Sequence, residues 1–297
     1  MKRVLITGSN GFIGQKLNKF LQSKHPPIEI INSYRHYQLA DQKHIEIGDI
    51  NAHTNWQPAL DNIDCIIHLA ARVHIMKEDS DKAKQLFDQI NTKGTLNLAR
   101  QAIAAGVKRF IYISTIKVNG EKTFDKPFTA DDHPNPQDDY ARSKLNAEQG
   151  LLKLAKENNL EVVIIRPPLV IGQKAKGNIQ RLQQLIKLKL PLPLAKINNH
   201  RSMVSAENLC DFIYSCMTHS KASGEIFLIK DRDLSTSELI LYLAKQMKHS
   251  VKLFYLPVFL TKWLLIVVGK KSMSERLFNS LQLDISKNKQ LLNWEPK

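Results

Sequence analysis

The 297-residue sequence predicts an α/β fold in which a parallel sheet carries helices on both faces. Apolar, strand-like runs alternate with helical patterns from residue 3 to residue 167, which is the rhythm of repeated strand–helix–strand units. The run IDCIIHLA (63–70) is almost entirely apolar, as expected of a strand that is buried on both faces. These two observations favour a doubly wound parallel sheet.

The predicted elements follow in order along the chain. Strands are predicted at 3–7, 28–33, 44–49, 63–70, 109–114 and 161–167, and helices at 11–23, 81–105 and 139–157. After residue 168 the alternation loosens, and helices and short strands are predicted at 177–189, 201–204, 205–218, 225–229, 235–247 and 258–270. We therefore divide the chain into a sheet domain (1–167) and a smaller C-terminal lobe (168–297) that is interleaved with it.

The composition is ordinary for a globular protein, with 43% hydrophobic and 24% charged residues. The formal net charge of +15 points to an anionic partner, but the basic residues are scattered, are mostly lysine and form no run of five. Specific nucleic-acid binding is therefore disfavoured, and a small anionic ligand such as a nucleotide is expected instead.

Cysteine and histidine usage argues against two other kinds of site. The three cysteines (Cys65, Cys210 and Cys216) form no CxxC motif and leave an odd count. A disulfide framework is therefore not expected, and a reducing, cytoplasmic compartment is predicted. The ten histidines include no HExxH motif or paired metal-ligand spacing, so no metal site is predicted.

Neither a signal peptide nor a transmembrane segment is predicted. The apolar part of the N-terminus MKRVLITG is only four residues long. The longest apolar region, FYLPVFLTKWLLIVVG (254–269), is shorter than the roughly 20 residues of a membrane span and contains Pro257 and Lys262. An amphipathic helix packed on the domain is favoured, with peripheral membrane contact as the alternative.

The segment TGSNGFIG places Gly8, Gly11 and Gly14 between the first strand and the first helix. Gly8 permits a tight turn, Gly11 lets the backbone approach a pyrophosphate, and Gly14 lets the helix pack closely. The helix N-terminus adds free N–H groups and a partial positive charge. This arrangement predicts a dinucleotide site in a Rossmann fold.

The spacing TGxxGxxG resembles the extended short-chain dehydrogenase/reductase superfamily, that is, the NAD-dependent epimerase/dehydratase family. The resemblance continues at Asp49, a family-like acidic contact to adenine, in the loop HLAA (68–71), and at Asn91, which would order the central helix. It implies a nicotinamide dinucleotide held by Gly8, Asn10, Gly11, Phe12, Ile13, Gly14, Arg35, Asp49, Ile50, Leu69, Ala70, Ala71, Tyr140, Lys144 and Pro167.

The end of the second strand distinguishes NADP from NAD. A carboxylate there binds the ribose hydroxyls of NAD, whereas an arginine accommodates the 2′-phosphate of NADP. The segment INSYRHY (31–37) contains no acid and has Arg35 and His36 near the relevant position. NADP is therefore favoured, with NAD as the alternative.

Tyr140 and Lys144 in DDYARSKLNAEQ lie one turn apart on a predicted helix. By the resemblance, Thr115, five residues before Gly120, completes the family's catalytic set. A phenol with a pKa of about 10 is a poor base at neutral pH. Lys144 is expected to lower that pKa and to hold the nicotinamide ribose, while Thr115 positions the reacting oxygen. The resemblance thus implies oxidation of a secondary alcohol or reduction of a ketone.

Three segments, IIRPPLVIG (164–172), GNIQRL (177–182) and INNHRSMV (197–204), resemble family members that act on nucleotide sugars. The resemblance implies a UDP-sugar substrate bound by the C-terminal lobe. Asn178 and Arg201 are the candidates for its diphosphate because a guanidinium suits phosphate, although Asn178 could equally cap a helix.

The segment ARVHIMKE (71–78) resembles a subgroup linked to bacterial surface-polysaccharide sugars, and Arg72 within it is a further candidate for substrate binding. The resemblance also implies a homodimer built on the helices at 81–105 and 139–157. It covers nearly the whole chain, except for a last family helix after NWEP (293–296).

Departures from the family pattern favour a UDP-4-keto-sugar 4-reductase. Dehydratases carry an Asp-Glu pair directly after the catalytic Thr, where this chain has Ile116 and Lys117. The well-known UDP-galactose 4-epimerases have Tyr-Phe-Asn after the Arg of the sixth strand and an acid after the second. This chain has Pro167, Pro168 and Arg35 instead.

A 4-epimerase with tightly bound NAD is the alternative, because both reactions use the same Thr/Tyr/Lys set. A non-catalytic NADP-binding regulator is a minor alternative, which the Tyr/Lys pair disfavours.

Overall fold

Seven parallel strands form the central sheet of the protein. The computed structural model describes residues 2–36, 43–73, 80–172, 175, 177–267, 269 and 271–297. The ten strands of the described chain are β1 (Arg3–Thr7), β2 (Glu29–Tyr34), β3 (His44–Glu46), β4 (Cys65–His68), β5 (Arg109–Ile113), β6 (Glu161–Arg166), β7 (Leu169–Ile171), β8 (Arg201–Ser205), β9 (Ile226–Leu228) and β10 (Arg232–Leu234).

The central sheet has the strand order β3-β2-β1-β4-β5-β6-β9, with every neighbouring pair parallel. From β1 the chain first adds β2 and β3 on one side of the sheet and then adds β4, β5 and β6 on the other side, so the strand order reverses between β1 and β4. A reversal of this kind opens a crevice at the carboxyl ends of the strands, where ligands bind in such folds. The predicted doubly wound parallel sheet is thereby confirmed.

Helices cover both faces of this sheet. They are α1 (Phe12–Gln22), α2 (Ser80–Phe87), α3 (Thr95–Ala104), α4 (Asp139–Glu157), α5 (Asn178–Lys187), α6 (Ala206–Thr218), α7 (Thr236–Gln246), α8 (Val258–Val267), α9 (Lys271–Phe278) and α10 (Ser286–Leu292). The segment Asp88–Gly94 joins α2 to α3 as a π-helix, so the predicted helix at 81–105 is one helical rod with a wider middle turn.

The period of two along the strands divides the apolar core between the two faces. Val4 and Ile6 of β1 pack with α1, α6 and α10, whereas Leu5 packs with α3 and α4 on the opposite side. The three cysteines are buried and free, and Cys65 lies in this core as a small apolar residue.

The C-terminal part of the chain contributes to both sheets. Strands β10, β8 and β7 form a second, three-stranded sheet, on which α5 and α7 pack through a separate apolar cluster. Strand β9 instead completes the edge of the central sheet beside β6. The segment after residue 168 therefore contributes strands to both sheets, and the division into two domains stays a prediction.

Four elements have no counterpart in the sequence prediction: β7, β10, α9 and α10. Both strands form by pairing with β8 in the second sheet, a long-range contact that the strands' own residues do not indicate. The predicted helix at 258–270 is α8, ending at Val267, and its positions 268 and 270 lie outside the described residues.

A buried ion pair fastens α4 to the sheet. Arg166 at the end of β6 and Glu148 on α4 are both almost fully buried, and the Arg166 Nη2 atom lies 2.5 Å from Glu148 Oε2. The Ser114 hydroxyl donates to the same carboxylate, and Arg166 Nη1 donates to Asn119 Oδ1 at 2.9 Å. Both charges are thus satisfied by geometry that only the folded chain supplies.

Replacing Glu148 with glutamine is expected to lower the free energy of unfolding by about 3–5 kcal/mol, because it leaves the Arg166 charge buried without its counter-ion. Urea denaturation monitored by circular dichroism measures the change. The matched control is Glu157→Gln on the same helix, whose exposed carboxylate lies 3.9 Å from Lys153 Nζ and should matter by less than about 1 kcal/mol. Equal effects of the two variants would contradict a central role for the pair.

Candidate active site

The loop between β1 and α1 has the geometry of a phosphate cradle. Gly8 has a φ of +69°, and a Cβ atom there would lie 2.8 Å from the backbone nitrogen of Ala70. A Cβ atom on Gly14 would lie 2.4 Å from the carbonyl oxygen of Gly8. Gly11 caps α1 without any side-chain hydrogen bond, so the first-turn N–H groups stay available to an anion. Side chains at Gly8 and Gly14 would clash with the neighbouring backbone, so these glycines allow the tight turn and the close packing of the helix that form the cradle.

A cleft of about 500 Å³ opens beside this loop at the carboxyl ends of β1, β2 and β4. It brings together nine residues predicted to bind cofactor or substrate: Gly8, Asn10, Gly11, Arg35, Ile50, Leu69, Ala70, Ala71 and Arg72. The lining also contains residues that the sequence analysis did not single out: Ser33, Tyr34, Ile47, Gly48, Val73 and Ile90. Ser33 and Tyr34 end β2, so their place at the strand terminus was the signal that could have identified them.

The other predicted cofactor residues lie around this cleft rather than in its lining. Phe12 packs beside Gly172, where an added Cβ would lie 2.6 Å from the Phe12 ring, and Ile13 packs on the core. Pro167 accepts a backbone hydrogen bond from Ile116 at 3.0 Å, which joins the ends of β5 and β6. Of the predicted segments 31–37 and 71–78, positions 37 and 74–78 lie outside the described residues.

Arg35 is paired with Asp49 across the rim of the cleft. The Arg35 Nε atom lies 2.8 Å from Asp49 Oδ1, and both side chains are mostly exposed. The pair brings a carboxylate to the end of β2, where INSYRHY lacks one of its own. Because Asp49 partly neutralises the guanidinium, Arg35 offers less attraction to a 2′-phosphate than an unpaired arginine would.

Asn91, in the π-helix, connects the cleft to α4. Its side-chain oxygen accepts the backbone N–H of Arg72 at 2.8 Å, and its amide donates to the Arg72 carbonyl at 3.0 Å. The same amide donates to the Ser143 hydroxyl at 3.0 Å, and this hydroxyl donates to the Tyr140 carbonyl at 2.7 Å. The wider π-turn places Asn91 between the loop and the helix, as such turns do at functional sites.

His68, the last residue of β4, holds the start of the following loop in place through hydrogen bonds to two threonines. Its Nδ1 lies 2.7 Å from Thr7 Oγ1 and its Nε2 lies 3.0 Å from Thr95 Oγ1, while Thr7 Oγ1 also accepts the N–H of Ala70 at 3.2 Å. Burial, together with the charge of Lys144, lowers the pKa of His68 to about 3. The imidazole is therefore a neutral bridge between two hydroxyls at any physiological pH.

Thr115 lies just after the end of β5, whereas Tyr140 and Lys144 lie in the first turns of α4. Thr115 follows β5 in an extended conformation and caps the short 3₁₀ turn Ile116–Val118. Lys117 from this turn lies 2.5 Å from Asp138, whose carboxylate caps α4 by accepting the N–H of Ala141 at 2.7 Å. The turn that carries Thr115 is thus tied to the helix end that carries Tyr140.

Burial is the main cause of the pKa shifts of Tyr140 and Lys144. Tyr140, in edge contact with Phe87, has a pKa raised well above its usual value by burial and then by the Asp138 carboxylate. Lys144 is 1% exposed, with its ammonium 4.1 Å from the centre of the Tyr112 ring. Burial lowers the pKa of Lys144 to about 7, although Glu148 opposes this shift.

The expected lowering of the Tyr140 pKa by Lys144 is therefore outweighed in the protein alone. Desolvation disfavours both the phenolate and the ammonium when each stands in an apolar site. A ligand that brings positive charge into the site would favour the phenolate and so complete the acid–base pair.

The predicted substrate residues divide between two places. Arg201 begins β8 and donates to the carbonyl of Asn279 at 2.9 Å, whereas Arg72 lines the dinucleotide cleft. Asn178 is the exposed first residue of α5, and Gly177 rather than Asn178 is the capping residue of that helix.

Arg276 on α9 is a candidate that sequence reasoning missed. Burial, with the nearby Arg276 charge as the next cause, lowers the pKa of Arg201 to about 10. The Arg276 charge disfavours the charged form of Arg201, whereas the Glu121 carboxylate favours it, so the Arg201–Arg276 pair is a candidate for binding a diphosphate. Only the fold reveals it, because 75 residues of chain separate the two arginines.

The pKa of Lys144 predicts a pH-dependent stability. The unfolded lysine keeps its proton to about pH 10, whereas the folded one loses it above about pH 7. Stability should therefore rise with pH in this window, because the unfolded state binds more protons there. Lys144→Met should stabilise the cofactor-free protein at pH 6.5 by on the order of 4 kcal/mol, and the gain should vanish near pH 10.

Urea denaturation at several pH values measures this gain. Lys153→Met, on the exposed side of the same helix, is the matched control and should show no such dependence. If both variants gave the same dependence of stability on pH, the buried Lys144 charge would not be the cause of that dependence.

Residues 4–229 match the family described as "NAD dependent epimerase/dehydratase family". The chain is 42% identical over 299 residues to the UDP-glucose 4-epimerase of Vibrio cholerae, an alignment that covers 99% of this chain and 91% of that protein. It is 28% identical over 253 residues to the GDP-6-deoxy-D-mannose reductase of Pseudomonas aeruginosa, covering 82% of this chain and 79% of the reductase.

Among solved structures, the UDP-glucuronic acid 4-epimerase of Bacillus cereus in complex with NAD superposes with a TM-score of 0.77. The match covers 99% of this chain and 94% of the epimerase, at 21% identity, and it concerns the fold alone. The family match spans most of the central sheet, the glycine loop and the Thr115, Tyr140 and Lys144 positions. The chain therefore belongs to the NAD dependent epimerase/dehydratase family.

Proposed function

We propose that the protein is an NAD-dependent 4-epimerase of a UDP-hexose. The observation that carries this proposal is the 42% identity to a UDP-glucose 4-epimerase over nearly the whole of both chains. The presence of Thr115 after β5 and of Tyr140 and Lys144 on α4 supports it, because both reactions of the family's Thr/Tyr/Lys set need these three groups.

The cleft fits a nicotinamide dinucleotide. The cradle at Gly8 and Gly14 suits the pyrophosphate, and the uncapped N-terminus of α1 offers donors to it. Arg35 and Asp49 would lie beside the adenosine ribose, where the carboxylate can accept hydrogen bonds from the two hydroxyls of NAD. A bound nicotinamide dinucleotide supplies hydride acceptance and hydride donation.

The protein's own groups handle the proton at the C4 oxygen of the sugar. Tyr140 takes the hydroxyl proton as the alcohol becomes a ketone and returns it as the alcohol re-forms. Thr115 donates a hydrogen bond to the same oxygen and fixes its position. Lys144, half protonated near pH 7, supplies the positive charge that favours the phenolate and can hold a ribose hydroxyl.

Inversion at C4 requires the ketone to turn its other face to the same hydride position while the nucleotide stays bound. Arg201 and Arg276 would hold the diphosphate at one end, and Asn178 and Arg72 would be further contacts to the substrate. Since the proton and the hydride are both returned, the reaction consumes no reductant.

Dehydration is disfavoured by the residues that follow Thr115. Ile116 is buried, and Lys117 is held by Asp138 and Glu121. Neither side chain can remove a proton from C5 or protonate a departing hydroxyl, so the chain lacks the acid and base of that reaction.

A UDP-4-keto-sugar 4-reductase is the second candidate. Arg35 at the end of β2 favours it, since a reductase that consumes NADPH needs a group for the 2′-phosphate. The homodimer, the cytoplasmic compartment and a place in polysaccharide sugar synthesis stay predictions under either reaction.

Tyr140→Phe should lower the rate of UDP-glucose and UDP-galactose interconversion by roughly 10²–10⁴-fold, because the proton at C4 loses its acceptor. Chromatography of the nucleotide sugars measures the rate, with NAD present and no net change in reduced nicotinamide absorbance. Tyr214→Phe, a tyrosine on α6 that packs on Phe20, is the matched control and should keep normal activity. Steady consumption of NADPH with a UDP-4-keto-sugar, and no interconversion, would establish the reductase instead.

Arg35→Ala should change NAD affinity by less than about threefold, because a hydroxyl-bearing ribose needs no guanidinium. Titration of the cofactor-free protein with NAD and with NADP, followed by calorimetry, measures both affinities. If wild type binds NADP more tightly and Arg35→Ala loses that preference, the proposed use of NAD is wrong.

A further inference from the structure

Helix α8 and two neighbouring segments expose a continuous group of large apolar side chains. On α8, Phe259 is 70% exposed and Trp263 is 61% exposed. We call this group the apolar face, and its members are Leu188, Leu190, Phe254, Tyr255, Val258, Phe259, Leu260, Trp263, Ile266 and Val267.

Backbone pairing brings the segments of the apolar face together. Leu192 and Leu253 form a parallel bridge, in which Leu192 accepts the N–H of Phe254 at 3.0 Å and donates to the carbonyl of Lys252 at 2.9 Å. The N–H of Ala195 also bonds the Phe254 carbonyl at 3.2 Å. The chain at 188–195 therefore lies beside 252–256, which leads directly into α8.

Such an exposed group is unusual for a surface that meets only water. Single apolar side chains are common on surfaces, but contiguous aromatic and aliphatic groups mark a contact site. Thr261 is the buried residue among the described side chains of α8. The helix contacts α9, and the described apolar side chains of α8 are exposed.

The segments that carry the apolar face contain basic residues and no acidic ones, whereas the neighbouring helix α9 carries the exposed Glu275. The sequence contains no Asp or Glu from 162 to 206, nor from 239 to 274. The described lysines of these stretches that border the face are Lys187, Lys189, Lys196, Lys252 and Lys262. The Lys196 ammonium lies 5.8 Å from the centre of the Tyr255 ring, so charge and aromatic surface are interleaved.

We propose that the apolar face docks the protein on the surface of an anionic lipid bilayer. The aromatic and aliphatic side chains would enter the headgroup boundary, and the lysines would meet the anionic headgroups. The ten residues of α8 span about 15 Å, half the hydrocarbon thickness, so the helix would lie in the plane of the interface. No helix of the described chain is long and apolar enough to cross a bilayer.

The charges favour a lipid surface over a second copy of the chain. A two-fold interface places the same patch on both partners, so the lysines of one copy would face those of the other. Like charges at short range oppose such pairing, whereas an anionic bilayer attracts all of them at once. This proposal rests on the surface and does not depend on which reaction the cleft performs.

Tryptophan fluorescence provides a direct test. Trp263 is exposed, whereas Trp56 and Trp294 are 0% and 6% exposed, so a change on binding reports Trp263. Vesicles of phosphatidylcholine containing about one third phosphatidylglycerol should shift the emission to shorter wavelength and sediment with the protein. Pure phosphatidylcholine vesicles, or high salt, should weaken both effects strongly.

Variants separate the apolar and the charged contributions. Phe259→Glu should abolish sedimentation with the anionic vesicles, whereas Phe124→Glu, a matched phenylalanine that is 77% exposed outside the apolar face, should not. The double variant Lys252→Gln/Lys262→Gln should lower the partition coefficient about thirtyfold, since each lysine near an anionic surface contributes about fivefold.

Light scattering of the same variants measures their oligomeric state and so identifies the outcome that would contradict the proposal. If wild type does not bind the vesicles, the proposal is overturned. If Phe259→Glu converts a dimer into a monomer, the face contacts another copy, and the proposal is overturned as well. Epimerase or reductase assays of Phe259→Glu in solution should match wild type, which distinguishes failure of docking from failure of the active site.

Discussion

The ion pair between Glu148 and Arg166 is the constraint on which the active site depends. It joins the middle of α4 to the end of β6, and the Ser114 hydroxyl donates to the same carboxylate from the end of β5. The helix cannot slide or rotate without leaving these charges unsatisfied. Lys144 is one turn before Glu148 and Tyr140 one turn before Lys144, so this one fixed point holds the helix face that carries both side chains.

Burial of ionisable groups in the site lowers the stability of the folded protein, and packing elsewhere in the fold has to compensate for this loss. Lys144 and His68 are almost fully buried and Tyr140 is partly buried, and burial shifts the pKa of each toward its neutral form. A neutral His68 suits its role as a bridge between hydroxyls. A buried lysine, in contrast, is strained at neutral pH, and a strained group of this kind is typical of a site organised for a ligand rather than for stability.

The sequence predicted the parts of the site that are local in the chain. The glycine loop and the Tyr140/Lys144 pair are short patterns whose spacing already determines which side chains share a turn, and the parallel sheet follows from continuous apolar runs. The roles assigned to these residues stay predictions. What the sequence could not show depends on long-range contacts: the Arg35–Asp49 pair, the bridge from Asn91 to Ser143 and the closeness of Arg276 to Arg201. Strands β7 and β10 were also not predicted, because each forms by pairing with β8, which lies far from it in the sequence.

The two candidate reactions differ in what the protein has to hold rather than in how it moves a proton. A reductase releases both products after one transfer, so its site need only present one face of a ketone. An epimerase keeps the nucleotide while the sugar turns, which requires a firm anchor at the diphosphate and space around the hexose. Under the proposed epimerase reaction, Arg201 and Arg276 would hold the diphosphate and Thr115 and Tyr140 would contact the C4 oxygen, so the binding energy would lie at the two ends of the substrate. That division of binding energy, more than the acid–base groups, would distinguish an epimerase from a reductase on this fold.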